Sequence, residues 1–231
     1  MSKKKLVVLS GAGVSAESGI RTFRDSDGLW ENYKVEDVAS IDGWYRDRKL
    51  VLDFYNARRK DLEKAEPNLA HKLIAELEKD FDVTVITQNI DNLHEKGGST
   101  NIIHLHGEAT KVRGDGADYN DNFEVGYKPI RLGDTDSRGR QLRPHIVWFG
   151  EAVPMIEKAA EEVSKADILL IIGTSLVVYP AAGLVGYVRA GVPVYLIDPH
   201  PMDVHYCQFE QIQDVATRGM KKFVEMIKDK K

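Results

Sequence analysis

The apolar run Leu6 to Leu9 ends in Ser10-Gly11-Ala12-Gly13 and reads as a buried parallel strand feeding a glycine turn. Val14 to Gly19 then reads as one or two turns of helix. Gly11 permits the tight turn, Gly13 lets backbone N–H groups approach an anion, and the N-terminal end of a helix dipole favours a phosphate there. With Ala16 the spacing is G-x-G-x-x-A, a variant of the dinucleotide fingerprint. No second strand ending in an acidic residue follows roughly 20 positions on, as a hydride-transferring enzyme requires. The chain runs instead into Ile20-Arg21-Thr22-Phe23-Arg24, so chemistry other than hydride transfer is expected.

Two further stretches carry reactive groups. Thr87-Gln88-Asn89-Ile90-Asp91-Asn92-Leu93-His94 stands at the carboxyl end of a second β-branched run, where open α/β sheets bind ligands. A helix capped by Asn89 or Asp91 would explain one of these residues and leave Gln88 and His94 without a role. In Asn101 to Gly107, read as a short strand, His104 and His106 share one face. General base, ligand and satisfied structural group are equally open for such a histidine.

These residues need a scaffold, and 231 residues can bury a full α/β core. Strands are expected at Phe81 to Thr87, Arg143 to Glu151, Ala166 to Ile172 and Val192 to Ile197. Helices are expected at Asp47 to Lys64, after Pro67-Asn68, at Pro154 to Ser164, after Pro180 and at Val215 to Lys228. The loop Asp27 to Tyr33, beside the glycine turn, could be a lid. Residues 107–142 hold too few apolar side chains for a core of their own and read as a small lobe. The expected division is a large domain from 1–27, 67–106 and 143–231, with 28–66 and 107–142 forming a small one.

With 42% hydrophobic and 29% charged residues the composition is that of a globular enzyme, and a formal charge of -4 gives no general affinity for nucleic acid. The terminal lysines, Lys5 among them, read as solvated ends. No apolar run approaches the ~18 residues of a membrane helix and no signal-peptide core precedes Leu6, so a cytoplasmic protein is expected. A single cysteine, Cys207, rules out a disulfide framework and any multi-cysteine metal site, and is read as a buried structural residue.

Taken together, GAGVSAESGIRTFR at 11–24, TQNIDNLH at 87–94, HLHG at 104–107, RPHIVWFGEAVP at 143–154 and GTSLVVYPAAGL at 173–184 resemble the sirtuin family of NAD-dependent protein deacylases. The resemblance implies a Rossmann-type parallel sheet with helices on both faces, a small domain from two insertions, NAD in the large domain and an acyl-lysine peptide in the cleft between. It implies that Ala12, Gly13, Ser15 and Arg24, beside Gly11, line the NAD phosphates and ribose. Gln88 and Asn89 would hold the nicotinamide ribose, Ile90 and Asp91 the carboxamide, and Thr174 and Ser175, after Gly173, the adenosine half. Asp198, where many members carry asparagine, would meet a ribose hydroxyl.

Asn89, Asp91 and His106 are the implied catalytic residues, His106 as general base on a ribose hydroxyl, with free lysine, nicotinamide and acyl-ADP-ribose as products. The substrate backbone is expected to add as a strand along Val147, Phe149, Gly150 and Glu151, opposite Leu176 to Val178. A monomer is the expected state.

Most of the family binds a structural zinc through four cysteines, which this chain lacks; Asp115, Asp118 and Asp121 read as a solvated turn, so no metal is expected in the small lobe. Tyr55 and Arg58, three apart on one helix face, together with Ala39 look like the tyrosine, arginine and small residue of sirtuins that remove succinyl and malonyl groups. An arginine fork beside a phenol binds a carboxylate, and a small side chain leaves room for a longer acyl chain. The alternatives are a mono-ADP-ribosyltransferase and a non-catalytic NAD or ADP-ribose binding module.

Overall fold

The computed structural model describes residues 3–21, 29–30, 33–202 and 208–228. The expected lid residues in part, Arg24 and Cys207 lie outside them.

In chain order, β1 (Lys5–Ser10) leads into two 3-10 turns, Ala12–Val14 and Ala16–Ser18, in place of the expected α-helix. A short antiparallel pair, β2 (Leu29–Trp30) and β3 (Tyr33–Lys34), precedes three helices, α1 (Val35–Val38), α2 (Ile41–Arg46) and α3 (Arg48–Lys64). Asp47 caps α3 by accepting from the Leu50 amide at 2.9 Å, and Asn68 caps α4 (Leu69–Glu76) through the Ala70 amide at 2.9 Å. Then come β4 (Asp82–Thr87), α5 (Leu93–Gly97), β5 (Ile102–His104), β6 (Gly107–Gly114), β7 (Asn122–Glu124) and β8 (Leu142–Ile146). The chain finishes with α6 (Ile156–Ser164), β9 (Ile168–Ile172), a 3-10 segment at Ala181–Tyr187, β10 (Val194–Ile197), β11 (Glu210–Ile212) and α7 (Ala216–Met226).

Six strands form one parallel sheet in the order β11-β10-β9-β1-β4-β5, the Rossmann-type arrangement expected. Side chains alternate along β1, so its two faces bury different partners. Leu6 and Val8 pack with Ile74 of α4 and Met220 and Phe223 of α7, while Val7 and Leu9 pack with Val163 of α6 and Leu184. Lys5, expected to be solvated, instead reaches Glu162 at 2.7 Å and Asp82 at 3.3 Å at the amino edge of the sheet.

A second, three-stranded antiparallel sheet, β7-β6-β8, spans the stretch read as a small lobe and continues through Ile146. The lobe borrows its core, as its composition demands. Val112, Ile130 and Ile146 pack against Trp44, Val51, Phe54 and Tyr55 of the helical excursion. Buried Arg59 ties the two parts together by donating to the carbonyls of Ala109 at 2.6 Å, Lys111 at 3.4 Å and Lys128 at 3.5 Å. Asp115 pairs with Arg48 at 2.6 Å and Asp121 with Arg140 at 2.9 Å, so two of the three aspartates anchor the lobe.

Candidate functional site

Strand order reverses between β1 and β9, and a crevice opens beyond the carboxyl ends of strands at such a point. Ser10-Gly11-Ala12-Gly13 and Gly173-Thr174-Ser175 meet there. The Gly13 amide donates to the Gly173 carbonyl at 2.8 Å, so that N–H is already engaged. What this position requires is closeness: a Cβ on Gly13 would lie 2.7 Å from the Gly173 Cα. Backbone packing of the two loops, more than an open amide, explains this glycine.

The buried Ser15 hydroxyl joins three side chains. It donates to Asp91 Oδ2 at 3.0 Å and accepts from Asn89 Nδ2 at 3.1 Å. Its single proton being spent on Asp91, the contact with His71 Nε2 at 3.4 Å makes the ring the donor. Burial holds His71 down to about 4, so it is neutral with its proton on Nε2. Asp91 Oδ1 accepts the Leu93 amide at 3.0 Å, and burial raises the Asp91 carboxyl above its ordinary range. The N-cap residue of α5 is Asn92, which makes no side-chain cap bond, and Asp91 lies one residue before it, so Asp91 serves the Leu93 amide and Ser15 together without being the cap. His94 lies beneath the site, with Nε2 2.9 Å from Ser10 Oγ.

His106 lies in the turn between β5 and β6, not within one continuous strand as expected. Gly107 makes that turn possible, with φ at 77° and with a hypothetical Cβ only 2.0 Å from the His145 carbonyl. His106 Nδ1 is 2.9 Å from the Gln88 carbonyl, which can only accept, so Nδ1 carries the proton and Nε2 keeps its lone pair. Burial lowers the His106 pKa against the opposing pull of that carbonyl, leaving the ring neutral at pH 7. Gln88 in turn donates to Thr174 Oγ1 at 3.0 Å, linking β4 to the loop after β9. Asp198 is buried at the end of β10 and accepts from the His200 amide at 3.0 Å.

One cavity of about 520 Å³ connects these groups. Gly11, Ala12, Gly13, Ser15, Gln88, Asn89, Ile90, Asp91, His106, Gly173, Thr174, Ser175 and Asp198 line it, as do Ala39, Tyr55, Arg58, Val147, Phe149, Gly150 and Glu151. Every expected site residue among the described ones thus reaches one space. Tyr55 and Arg58 are only 2% and 4% exposed, and the Tyr55 hydroxyl accepts from Trp148 Nε1 at 3.0 Å.

The 147–151 segment is more occupied than a bare edge strand. Val147 donates to the His106 carbonyl at 2.9 Å, Phe149 to Ala39 at 2.9 Å, and Ile41 to the Phe149 carbonyl at 3.0 Å. Glu151 is clamped by Arg143 at 2.7 and 2.9 Å and accepts the Trp148 amide at 2.9 Å. Burial would raise the Glu151 carboxyl, but Arg143 outweighs it and holds it below its usual range. Glu151 therefore anchors the wall of the cleft. Across from it, Val177 and Tyr179 are exposed.

Sequence reasoning missed His71, Ser10, Arg143 and Trp148. His71 could have been noticed only as a histidine on the apolar face of α4, a weak signal. The cavity volume falls in the ordinary range for small-molecule sites, roughly 300 to 1,000 Å³. Its donor set suits a dinucleotide: amides and hydroxyls at Gln88, Asn89, Thr174 and Ser175 for ribose oxygens, with a carboxylate at Asp198 for a ribose hydroxyl.

The Sir2 family model matches residues 11–180. An NAD-dependent protein deacylase of Bacteroides thetaiotaomicron is 56% identical over 229 residues, spanning 97% of this chain and 98% of its own. Among solved structures, a Sir2 homolog–NAD complex matches with a TM-score of 0.87 at 39% identity, covering 99% of this chain and 91% of that one. A Sir2–p53 peptide–NAD+ complex matches with a TM-score of 0.79 at 28% identity, covering 97% and 93%.

Proposed function

Since the chain belongs to the Sir2 family, we propose that it is an NAD-dependent protein deacylase in which His106 is the general base and Tyr55 with Arg58 admits acidic acyl groups. NAD is the cosubstrate, and acyl-lysine proteins or peptides are the substrates. The observation that carries this reading is the single cavity in which His106 Nε2 and the Gln88–Asp91 loop share walls with Tyr55 and Arg58.

When bound, NAD supplies a ribose carbon that accepts the acyl oxygen as nicotinamide departs, and acyl-ADP-ribose is the product. Gln88 and Asn89 orient that ribose; Asn89 is itself fixed by Ser15. Asp91 and Ile90 receive the carboxamide. His106 takes a hydroxyl proton at Nε2, for which the Gln88 carbonyl fixes the tautomer, a role worth roughly 100- to 10,000-fold. Buried Trp148 walls the acyl group off from water, and Phe149, which is exposed, would cover that group once substrate is bound. Because most amides of 147–151 are engaged internally, peptide main-chain bonding falls to the remaining groups around Gly150 and to the 176–178 loop. A cytoplasmic monomer without nucleic-acid or membrane partners completes the reading; no helix among the described residues is long and apolar enough to cross a membrane.

The test measures nicotinamide release and acyl-ADP-ribose on matched acetyl- and succinyl-lysine peptides, with wild type and His106→Ala. Acyl-ADP-ribose from wild type, and its loss in the variant with NAD binding retained, is expected. Label from NAD transferred to the protein target would instead identify a mono-ADP-ribosyltransferase.

A further inference from the structure

Three side chains outside the cleft meet where α5, β5 and β6 converge. A carboxylate oxygen of Glu95, Nε2 of His104 and a carboxylate oxygen of Glu108 lie within 4.8 Å of one another. Glu95 Oε1 is 2.6 Å from His104 Nε2, and Glu108 Oε1 is 3.9 Å from it. The His104 side chain is 8% exposed, whereas the Glu95 and Glu108 side chains are 38% and 21% exposed, so the group opens to solution through its carboxylates.

The orientation of the ring is what distinguishes this group from a surface ion pair. His104 Nδ1 is 3.3 Å from the Asn89 carbonyl, which can only accept, so Nδ1 carries a proton and Nε2 is the atom turned toward both carboxylates. Metal-bound histidines are held in this way, with one ring N–H on a backbone carbonyl and the other nitrogen on the ion. Glu108 divides its two oxygens. Oε2 takes the Lys111 ammonium at 2.6 Å, which leaves Oε1 on the side of the imidazole. Lys111 can therefore stay paired while Oε1 ligates.

We propose that Glu95, His104 and Glu108 form a zinc site, with one imidazole nitrogen and two carboxylate oxygens as protein ligands and water completing the coordination. Zinc accepts such a mixed nitrogen and oxygen set at about 2.0 to 2.2 Å, whereas magnesium and calcium favour oxygen alone. Ligands on a tetrahedral ion stand roughly 3.3 Å apart, so the Glu95 contact opens slightly and the Glu108 contact closes, within the reach of two glutamate side chains. Binding replaces a proton on Nε2, which passes to solvent. The ion would join α5 to β5 and β6, and through the His104 ring, whose Nδ1 meets the Asn89 carbonyl, it would stiffen the segment that bears Gln88 and Asn89. No local motif marks these three residues, which are 9 and 4 positions apart and come together only in the fold.

The experiment titrates chelator-stripped full-length protein with zinc chloride by calorimetry and follows thermal unfolding, for wild type, His104→Ala, Glu108→Gln and Cys207→Ser. One zinc per chain, a melting temperature that rises with zinc, binding at least about tenfold weaker in Glu108→Gln and His104→Ala, and unchanged binding in Cys207→Ser are expected. Glu108→Gln removes a half-buried charge and keeps side-chain size, so it reports even if His104→Ala does not fold. No saturable zinc uptake, equal affinity in wild type and Glu108→Gln, loss of zinc in Cys207→Ser, or equal stabilisation by magnesium would each overturn the site.

Discussion

If Arg58 reads an acyl carboxylate as proposed, Arg58→Met should separate acyl recognition from the rest of the machinery. Arg58 is 4% exposed on α3, one turn from Tyr55, and lines the same cavity as Ala39 and His106. A guanidinium so placed meets an incoming carboxylate with little water to screen it. A charge-assisted hydrogen bond under such conditions contributes about 1.5 to 3 kcal/mol, where a solvent-exposed ion pair would contribute about 0 to 1. At roughly 1.4 kcal/mol per tenfold, the variant should lower kcat/KM for a succinyl-lysine peptide by roughly 10- to 150-fold. The matched acetyl peptide has no carboxylate to lose, and its kcat/KM should stay within about threefold. Both peptides are assayed by nicotinamide release at saturating NAD, with thermal unfolding run in parallel to show that the fold is kept. Arg58→Lys should fall between, because it retains the charge and loses the planar fork. Equal losses on the two peptides would refute the reasoning, since they would make Arg58 a support for the cleft with no part in choosing the acyl group.

Other expectations follow from the same geometry. Burial lowers the His106 pKa in the unliganded protein, so the acidic limb of the kcat/KM profile, where the base becomes protonated, should fall below the free-histidine value of about 6.5; a limb above it would remove His106 as the base. Arg59→Met strips the shared donor from three carbonyls, and although it also relieves a buried charge whose pKa is pushed down to about 10, a net loss of about 2 to 4 kcal/mol in urea unfolding is expected. His71 is neutral in the folded state with a pKa near 4, below its unfolded value of about 6.5. Its contribution to stability is therefore complete above pH 6.5 and falls by about 1.4 kcal/mol per pH unit down to pH 4. Urea midpoints measured at pH 7 and pH 5 should show this slope in wild type and a shallower one in His71→Gln.

Local pattern was enough to identify the strands of the parallel sheet from β1 to β10, the capped helices α3 and α4, and the motifs that identify the family. Those signals are written in short stretches: β-branched runs, a glycine turn, an asparagine after a proline. Nearly every proposed site residue was legible for the same reason, because each lies at a strand end or in a family motif. What tertiary structure decided was which hydrogen bonds those residues spend on one another. Gly13 gives its amide to Gly173, Glu151 gives its carboxylate to Arg143, and His106 is aimed by a carbonyl at Gln88, 18 positions away. Neither His71 below Ser15 nor the meeting of Glu95, His104 and Glu108 has a local signature. The edge strand β11 and the borrowed core of the small lobe belong to the same class. Hydrophobic periodicity records which face of an element is buried, but the partner of a buried polar atom is chosen by the packing of distant segments, and only the folded chain makes that choice.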